Sequence, residues 1–188
     1  MSIPDSGTKI GFPYETGPHP KVLILGSFPG EKALARQEYY GNPRNHFWRI
    51  VEALFSIDRR LPYRERMDRL LSHGIALWDT VRSCRRRGSG DARILDAAPA
   101  DIGGFLRMHP TVRYVVANGR TAERFLRRAV ARQEIDRAVG IVAMPSTSPA
   151  NARYSFDDKL RHWSRVLGLL DDASPPDVRI HGESPERR

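Results

Sequence analysis

Cysteine is nearly absent from the sequence, and long hydrophobic runs are absent altogether. Among 188 residues there is one cysteine, Cys84, which excludes an internal disulfide, a multi-cysteine zinc site and a four-cysteine iron–sulfur cluster. No stretch approaches the roughly 18 apolar residues that a membrane-spanning helix needs. The first residues also lack the basic segment and apolar run of a secretory signal. We therefore expect a protein of the bacterial cytoplasm that does not contact a membrane.

Motifs of several common catalytic sites are missing as well. Segment 26–30 contains two glycines, but no Gly-Lys-Ser/Thr follows it, and the glycine spacing is not that of a dinucleotide-binding fingerprint. The histidines lack metal-ligand spacing, and Cys84 has no obvious histidine partner for nucleophilic catalysis. What remains is the chemistry of amides, hydroxyls and aromatic rings.

Basic residues outnumber acidic ones, with 31 lysines and arginines against 22 aspartates and glutamates, which gives a formal net charge of +9. Most of the basic residues are arginine, and an excess of arginine favours a polyanionic partner, usually a nucleic acid. The alternative is the arginine-rich composition of a protein from a GC-rich genome. Composition alone leaves both interpretations open.

Four short apolar runs predict strands that are buried on both faces. They are residues 21–25, 75–78, 114–117 and 141–144. Helical patterns are found at 43–55, 63–73, 99–108, 121–133 and from Ser155 to about residue 170, whereas 82–93 has the composition of a basic loop. This alternation predicts an α/β fold with a parallel sheet that helices cover on both faces.

Two helix starts carry specific signals. Asn42 can be the N-cap of the first long helix, with Pro43 at its first position. Ser155, with Asp158 three residues later, resembles a capping box. The apolar stripe expected to be buried in this last helix consists of Leu160, Trp163, Val166, Leu167 and Leu170.

The length suits a single domain, which we place at residues 1–170. Its first 20 residues have little periodicity and predict an arm held against the domain. Residues 171–188 are rich in proline and charge, so we expect a poorly packed tail.

Polar segments punctuated by glycine and proline follow each predicted strand. Ligands of parallel α/β sheets bind outside the carboxyl ends of the strands, so we expect the site there. Amides offer a donor and an acceptor on one planar group, and aromatic rings offer a stacking surface. Such groups can read a base that has been flipped out of a duplex, and the composition favours this class of function.

Two of these segments carry a family resemblance. Segment 26–30 (GSFPG), followed by 39–48 (YYGNPRNHFW), resembles the first motif of the uracil-DNA glycosylase superfamily. Phe28 together with 144–151 (MPSTSPAN) resembles the hypoxanthine-DNA, or DNA-deoxyinosine, glycosylase branch. The shorter segments that fall at matching places are 77–79 (LWD) and 117–120 (ANGR), and the resemblance spans roughly residues 20–170.

The resemblance implies a three-layer α/β/α sandwich around a four-stranded parallel sheet. It implies a monofunctional and monomeric enzyme that hydrolyses the N-glycosidic bond of a deaminated base in DNA and leaves an abasic site. It implies neither a metal nor an organic cofactor.

The sequence departs from one branch of the superfamily at Phe28. The mismatch-specific uracil/thymine branch has a catalytic asparagine at this position, and phenylalanine cannot orient water. The resemblance instead places the water-positioning amide at Asn45, and a second functional amide at Asn118, which would bond the base edge. Phe28 and Tyr40 would stack on the base ring. Further base-binding candidates are Gly26, Ser27 and Asn42.

Two segments are candidates for contact with the DNA backbone. Arg85, Arg86 and Arg87 could neutralise phosphates, or could form only a solvated loop. The proline-stiffened loop after the fourth strand would approach the gap that the flipped nucleotide leaves. Its candidate residues are Ser146, Thr147, Ser148, Pro149, Asn151 and Arg153.

Other functions stay open at this point. One is the mismatch-specific uracil/thymine glycosylase, and another is a non-catalytic nucleic-acid-binding module. A third is a small-molecule enzyme with a similar sheet. Among single residues, Asn118 could belong to a simple turn, and we interpret Asp79 as a cap for the loop after the second strand.

Overall fold

Two β-sheets organise the structure, a large parallel one and a small antiparallel one. The computed structural model describes residues 7–132, 135, 139–172 and 180–181. Its strands are β1 Lys9–Ile10, β2 Val22–Gly26, β3 Ile75–Asp79, β4 Val81–Arg85, β5 Leu95–Pro99, β6 Tyr114–Asn118, β7 Gly140–Met144 and β8 Ile180–His181. Its helices are α1 Glu31–Arg36, α2 Phe47–Phe55, α3 Tyr63–Ser72, α4 Ile102–Met108, α5 Arg120–Ala131, α6 Phe156–Trp163 and α7 Arg165–Asp171, with a 3₁₀ turn at Asp91–Arg93.

The large sheet has the strand order β3-β2-β6-β7-β8, and all its strands are parallel. The four predicted strands are confirmed as β2, β3, β6 and β7. The two residues of β8 add a short edge strand from the segment predicted as a tail, most of which lies outside the described residues. Because the strands are parallel, their carboxyl ends meet at one edge, where Gly26 pairs beside Asp79 and Asn118 beside Met144.

Helices cover both faces of the large sheet, since successive side chains of a buried strand point to opposite faces. Val22 and Ile24 of β2 pack in an apolar cluster with α2, α3, α6 and α7. Leu23 and Leu25 of the same strand pack with α4 and α5 on the other side. The predicted three-layer α/β/α sandwich around four parallel strands is therefore confirmed.

The small sheet includes the start of the segment 82–93, which the sequence predicted to be a basic loop. There β4 pairs antiparallel with both β1 and β5. The loop prediction is wrong for residues 82–85, which belong to β4, because their pairing partners are distant in sequence: Lys9 lies opposite Cys84, and Val81 opposite Pro99. Residues 86–90 form a loop as predicted. Val81 and Cys84 are buried while Arg85 is exposed. The arginines at exposed positions interrupt the apolar run by which a buried strand is recognised in a sequence.

The first long helix starts later than predicted. It begins at Phe47, and the N-cap position is held by His46 rather than by Asn42. The side-chain oxygen of Asn42 accepts the N–H of Arg44 at 3.1 Å, and that of Asn45 accepts the N–H of Phe47 at 2.9 Å. Such bonds compete with helix formation, so residues 42–45 form turns instead. Asn45 therefore lies just before the helix and not in its first turn.

The last helical segment consists of two helices instead of one. Ser155 and Asp158 form the predicted capping box at the start of α6. Helix α6 ends at Trp163, with Ser164 as its C-cap. Helix α7 follows, and its buried residues are Val166 and Leu170. Leu167 is 38% exposed, and the prediction that it is buried is wrong.

The remaining helices confirm the predicted elements and correct their ends. Helix α4 starts only at Ile102, because Pro99 belongs to β5 and the side chain of Asp101 accepts the N–H of Gly104. The expected end of α5 at residue 133 lies outside the described residues. Helix α1 carries no clear sequence signal and was not predicted.

Candidate active site

A cavity of about 1510 Å³ opens at the carboxyl ends of the large sheet. The last residue of β3 and the segments that follow β2, β6 and β7 contribute to its wall. The predicted site residues that line it are Gly26, Ser27, Phe28, Tyr40, Asn42, Asn45, Asn118, Ser146, Thr147, Ser148, Pro149, Asn151 and Arg153. The three residues Arg85, Arg86 and Arg87 are not part of this wall.

The Asn45 carboxamide is half-buried at the cavity wall, just ahead of α2. Its Oδ1 atom accepts the Phe47 N–H, which fixes the orientation of the amide group. A carbonyl oxygen has two lone pairs, so Oδ1 can still accept a bond from a water molecule. The His46 N–H donates to the Thr147 carbonyl at 3.0 Å and ties this turn to the loop after β7. The arrangement is suited to holding one water in a fixed place.

Two aromatic rings at the cavity are supported from behind. The ring of Tyr40 stacks on Phe47 with a centroid distance of 3.9 Å and an interplanar angle of 22°. Phe28 is 5% exposed and packs against Val81 and Cys84 of β4. Both rings therefore keep fixed positions at the wall, which is what a stacking surface for a flat ligand requires.

The small sheet positions Phe28 through a buried arginine. Arg86 is 1% exposed, and its guanidinium carbon lies 4.9 Å from the centroid of the Phe28 ring. The same group donates a short hydrogen bond to the carbonyl of Pro29 and lies 3.9 Å from the Asp91 carboxylate. The prediction that Arg86 contacts DNA phosphates is therefore wrong, because its cation is used inside the protein to hold segment 26–30.

The two neighbouring arginines differ from Arg86. Arg85 and Arg87 are exposed, as expected for side chains at the outer positions of a strand end. Arg85 lies 3.4 Å from the Asp96 carboxylate across the β4–β5 pair. Their contact with DNA stays a prediction.

Asn118 holds the loop after β7 in place. Its Nδ2 donates to Thr147 Oγ1 at 3.0 Å, and its Oδ1 accepts the Thr147 N–H at 2.9 Å. Thr147 is fully buried by these contacts, so the prediction that its side chain contacts DNA is wrong. Asn118 itself is 7% exposed and lines the cavity, and its contact with a base edge stays a prediction.

Several further bonds stiffen the loop that Asn118 holds. Trp163 Nε1 donates to the Pro145 carbonyl at 3.0 Å, and Lys159 Nζ donates to the Ser148 carbonyl at 3.1 Å. Asn151 Nδ2 donates back to the Ser146 carbonyl at 3.1 Å. The loop is therefore ordered before any ligand binds, which lowers the entropy lost on binding.

Gly119 allows the loop to approach β6 closely. Its φ of +96° lies in the region that L side chains rarely adopt, and a Cβ there would lie 2.6 Å from Cβ of Ser146. Ser146 can therefore reach the cavity wall only beside a glycine. The Asn-Gly pair thus has a packing role beyond that of a simple turn.

Asp79 is the site residue whose position the sequence analysis missed. It ends β3 and is 4% exposed, and its Oδ2 atom has no hydrogen-bond partner among the described residues. The hydroxyl of Tyr40, buried nearby, likewise has none. Burial raises the pKa of Asp79 to about 7, a nearby Asp91 adds to the rise, and Arg86 opposes it.

The strand pairing explains how Asp79 fits at the edge of the cavity. Gly26 is its partner in β2, and a Cβ on Gly26 would lie 2.2 Å from Asp79 Oδ1. The carboxyl group fills the space that this glycine leaves, and the interpretation of Asp79 as a loop cap stays a prediction. A polar residue at the end of a strand beside a glycine was the available signal.

Asp79 makes folding stability depend on pH. Its folded pKa of about 7 lies above the ordinary value of 3.8, so stability is lost as pH rises from about 4 and the loss is complete above pH 7. We expect the free energy of unfolding to fall by about 3 kcal/mol between pH 5 and pH 8. The folded pKa lies about two units above pH 5, and each unit contributes about 1.4 kcal/mol. Urea unfolding of Asp79→Asn should show much less of this fall, and an equal fall in both proteins would contradict the account.

The described residues contain no group of three or more His, Cys, Asp or Glu side chains that could hold a metal ion. None of the helices described is long and apolar enough to cross a membrane. Cys84 is buried, and burial raises the pKa of its thiol.

The fold and the cavity together define a class of protein, the three-layer α/β/α proteins whose ligand cavity opens at the carboxyl edge of a parallel sheet. Within it, the family model described as Uracil DNA glycosylase superfamily matches residues 13–168. The chain belongs to this superfamily, as the resemblance predicted.

Three relatives support this membership. A Methanosarcina acetivorans protein named Hypoxanthine DNA glycosylase is 35% identical over 162 residues, which cover 85% of this chain and 98% of that protein. A protein of the same name from Methanosarcina barkeri is 31% identical with the same coverage. The solution NMR structure of a candidate uracil DNA glycosylase from M. acetivorans matches with a TM-score of 0.74 and 31% identity, over 88% of this chain and 100% of that one. These relatives are archaeal, so the expected bacterial source stays a prediction.

Proposed function

We propose that this protein is a monofunctional DNA glycosylase that removes hypoxanthine from deoxyinosine in DNA and so initiates base-excision repair. The observation that carries the proposal is the pairing of Phe28 and Asn45 at one cavity, in a chain whose relatives are named hypoxanthine DNA glycosylases. Phe28 supplies a ring where the mismatch-specific uracil/thymine branch has an amide. Asn45 supplies the amide at the same cavity.

The reaction breaks the bond between C1′ of the sugar and N9 of the base. The bonding electron pair leaves with the base, and C1′ acquires oxocarbenium character, as in other glycoside hydrolysis. A water molecule then adds to C1′ and loses a proton, and the departing base takes one up. The products are free hypoxanthine and an abasic site in the DNA.

Asn45 holds the water and Asn118 bonds the edge of the base in this proposal. Attack on a centre with oxocarbenium character needs little activation of the nucleophile, so a neutral amide that positions the water is sufficient. Phe28 and Tyr40 hold the base ring between fixed surfaces. The two hydrogen bonds between Asn118 and Thr147, one donated by each residue, keep the Asn118 carboxamide in one orientation.

DNA is the partner, and the net charge of +9 suits a polyanion. Arg85, Arg87 and Arg153 are exposed and are proposed to meet backbone phosphates. Ser146, Ser148, Pro149 and Asn151 are proposed to approach the gap that the flipped nucleotide leaves. We also propose that the protein acts as a monomer in the cytoplasm.

A panel of duplexes tests the function. Purified protein is incubated with duplexes that contain inosine, uracil, xanthine or a G·T mismatch, and abasic sites are converted to strand breaks. We expect the inosine duplex to be cut fastest, with Asn45→Ala protein from the same purification as the control for contaminating glycosylases. Uracil cut much faster than inosine would favour the mismatch-specific alternative, and tight binding without any abasic product would favour a non-catalytic module.

A further inference from the structure

A second, smaller concavity lies beside the active-site cavity, between the start of α2 and the loop after β7. Its volume is about 420 Å³, and its basic lining consists of Arg44, His46, Arg49 and Lys159. No acidic residue lines it. We call this concavity the basic notch. Pro149, Asn151 and Tyr154 line both the notch and the active-site cavity, so the two adjoin.

The cations of the notch lack carboxylate partners among the described residues. Arg49 is exposed, and its guanidinium carbon lies 4.0 Å from the centroid of Phe156. Arg44 is also exposed. Some other surface arginines do have such a partner, as Arg69 has in Glu65 at 2.6 Å. The notch thus gathers several cations in one concavity whose lining contains no carboxylate.

Lys159 strengthens this observation because it is buried. It is 1% exposed, and its ammonium group donates one bond, at 3.1 Å, to the Ser148 carbonyl. Buried charges are normally paired, so an ammonium with one neutral partner is incompletely satisfied. Burial accordingly lowers the pKa of Lys159. An anion in the notch would supply the missing partner.

His46 reports the same positive environment. Its Nδ1 atom is buried without a hydrogen-bond partner among the described residues. The pKa of His46 is lowered, first by burial and then by the charges of Lys159 and Arg49. Both cations line the same notch as His46.

We propose that the basic notch binds a single backbone phosphodiester of the DNA strand whose nucleotide enters the active-site cavity. Arg44 and Arg49 contact the phosphate oxygens, and the buried ammonium of Lys159 adds positive charge to the same notch. The proposal rests on the proposed function, since the notch shares a wall with the cavity that takes the base. The bound phosphate holds the strand in register with Asn45, which lies one residue from Arg44 along the chain.

Salt dependence of DNA binding tests the notch. We compare wild type, Arg44→Gln and Arg49→Gln by fluorescence anisotropy with a duplex that carries a stable abasic-site analogue, between about 50 and 200 mM salt. Each variant should bind about tenfold more weakly, as expected for one lost charge-assisted bond. The slope of log affinity against log salt should become less negative by about one unit. The matched control is Arg69→Gln on α3, an exposed arginine outside the notch, which should match wild type.

A second measurement locates the phosphate. In a series of duplexes, one phosphate at a time is replaced by a neutral methylphosphonate. One position near the target nucleotide should weaken wild-type binding about tenfold and should leave Arg49→Gln binding unchanged. If every methylphosphonate position weakened the binding of wild type and of Arg49→Gln equally, the proposal would be overturned. Unchanged salt slopes in both arginine variants would overturn it as well.

Failure of this proposal can be separated from failure of the proposed function. If wild type releases hypoxanthine but the notch variants bind DNA as wild type does, only the notch assignment is wrong. If wild type releases no base, the glycosylase assignment is wrong, and the binding data still decide whether the notch holds a phosphate.

Discussion

Replacing Asn45 by alanine should slow the release of hypoxanthine by about 10²- to 10³-fold, the usual cost of losing one well-placed polar contact in a transition state. The Asn45 carboxamide lies at the cavity wall with its orientation fixed by the Phe47 N–H. Alanine leaves the water without its partner while the cavity keeps its rings. Single-turnover excision from an inosine duplex measures the effect, and binding to an abasic-site analogue should change only a few-fold.

The alanine variant also loses a bond at the start of α2, so its folding needs a control. Losing such a bond between a side chain and a backbone N–H costs about 1 kcal/mol. Ser155→Ala removes a comparable bond at the start of α6, outside the cavity wall, and should be destabilised similarly while it cuts inosine normally. An excision rate of Asn45→Ala within a few-fold of wild type would remove Asn45 from the mechanism.

Replacing Arg86 by alanine should destabilise the protein and slow excision, with no change in the salt dependence of DNA binding. Arg86 is buried, stacks on Phe28 and donates to the Pro29 carbonyl. Its removal leaves a cavity and an unpaired carbonyl, which together cost about 2–4 kcal/mol. Segment 26–30 then loses the contact that fixes Phe28, so we expect excision to fall by more than about tenfold.

Arg87→Ala is the matched comparison for Arg86→Ala. Arg87 is exposed and adjacent in sequence, so its removal should leave folding stability almost unchanged. If Arg87 meets a phosphate, its loss should make the salt slope less negative by about one unit. Urea unfolding and anisotropy titrations separate the two residues. A normal unfolding free energy together with a shallower salt slope in Arg86→Ala would mean that Arg86 faces DNA after all.

Local patterns in the sequence were sufficient to predict four of the five strands described in the large sheet. The four strands are short apolar runs such as 114–117, and runs of this kind are buried in any parallel sheet. Polar segments follow each of these strands, which indicated a cavity at the carboxyl edge of the sheet. The motif containing Phe28 and Asn45 indicated which residues line it, and the structure brings both to one wall.

Features that depend on contacts between distant segments were not predictable in this way. Strand β4 is stabilised by pairing with β1 and β5, and its own residues alternate arginine with buried positions. Arg86 looked like a DNA contact because nothing local shows that Phe28 lies beneath it. The burial of Asp79 at the cavity was not predicted for the same reason, because it depends on the glycine of the neighbouring strand. The start of α2 was misplaced because the turn bonds of Asn42 and Asn45 compete with a helix cap.

A crystal structure of Asn45→Ala bound to a duplex that contains deoxyinosine tests the central claim most directly, since the slowed variant should retain the intact nucleotide. We predict that hypoxanthine is flipped into the cavity beside Phe28 and Tyr40, with C1′ of its sugar facing position 45. An inosine that remains stacked in the duplex, or a sugar turned away from position 45, would contradict the account.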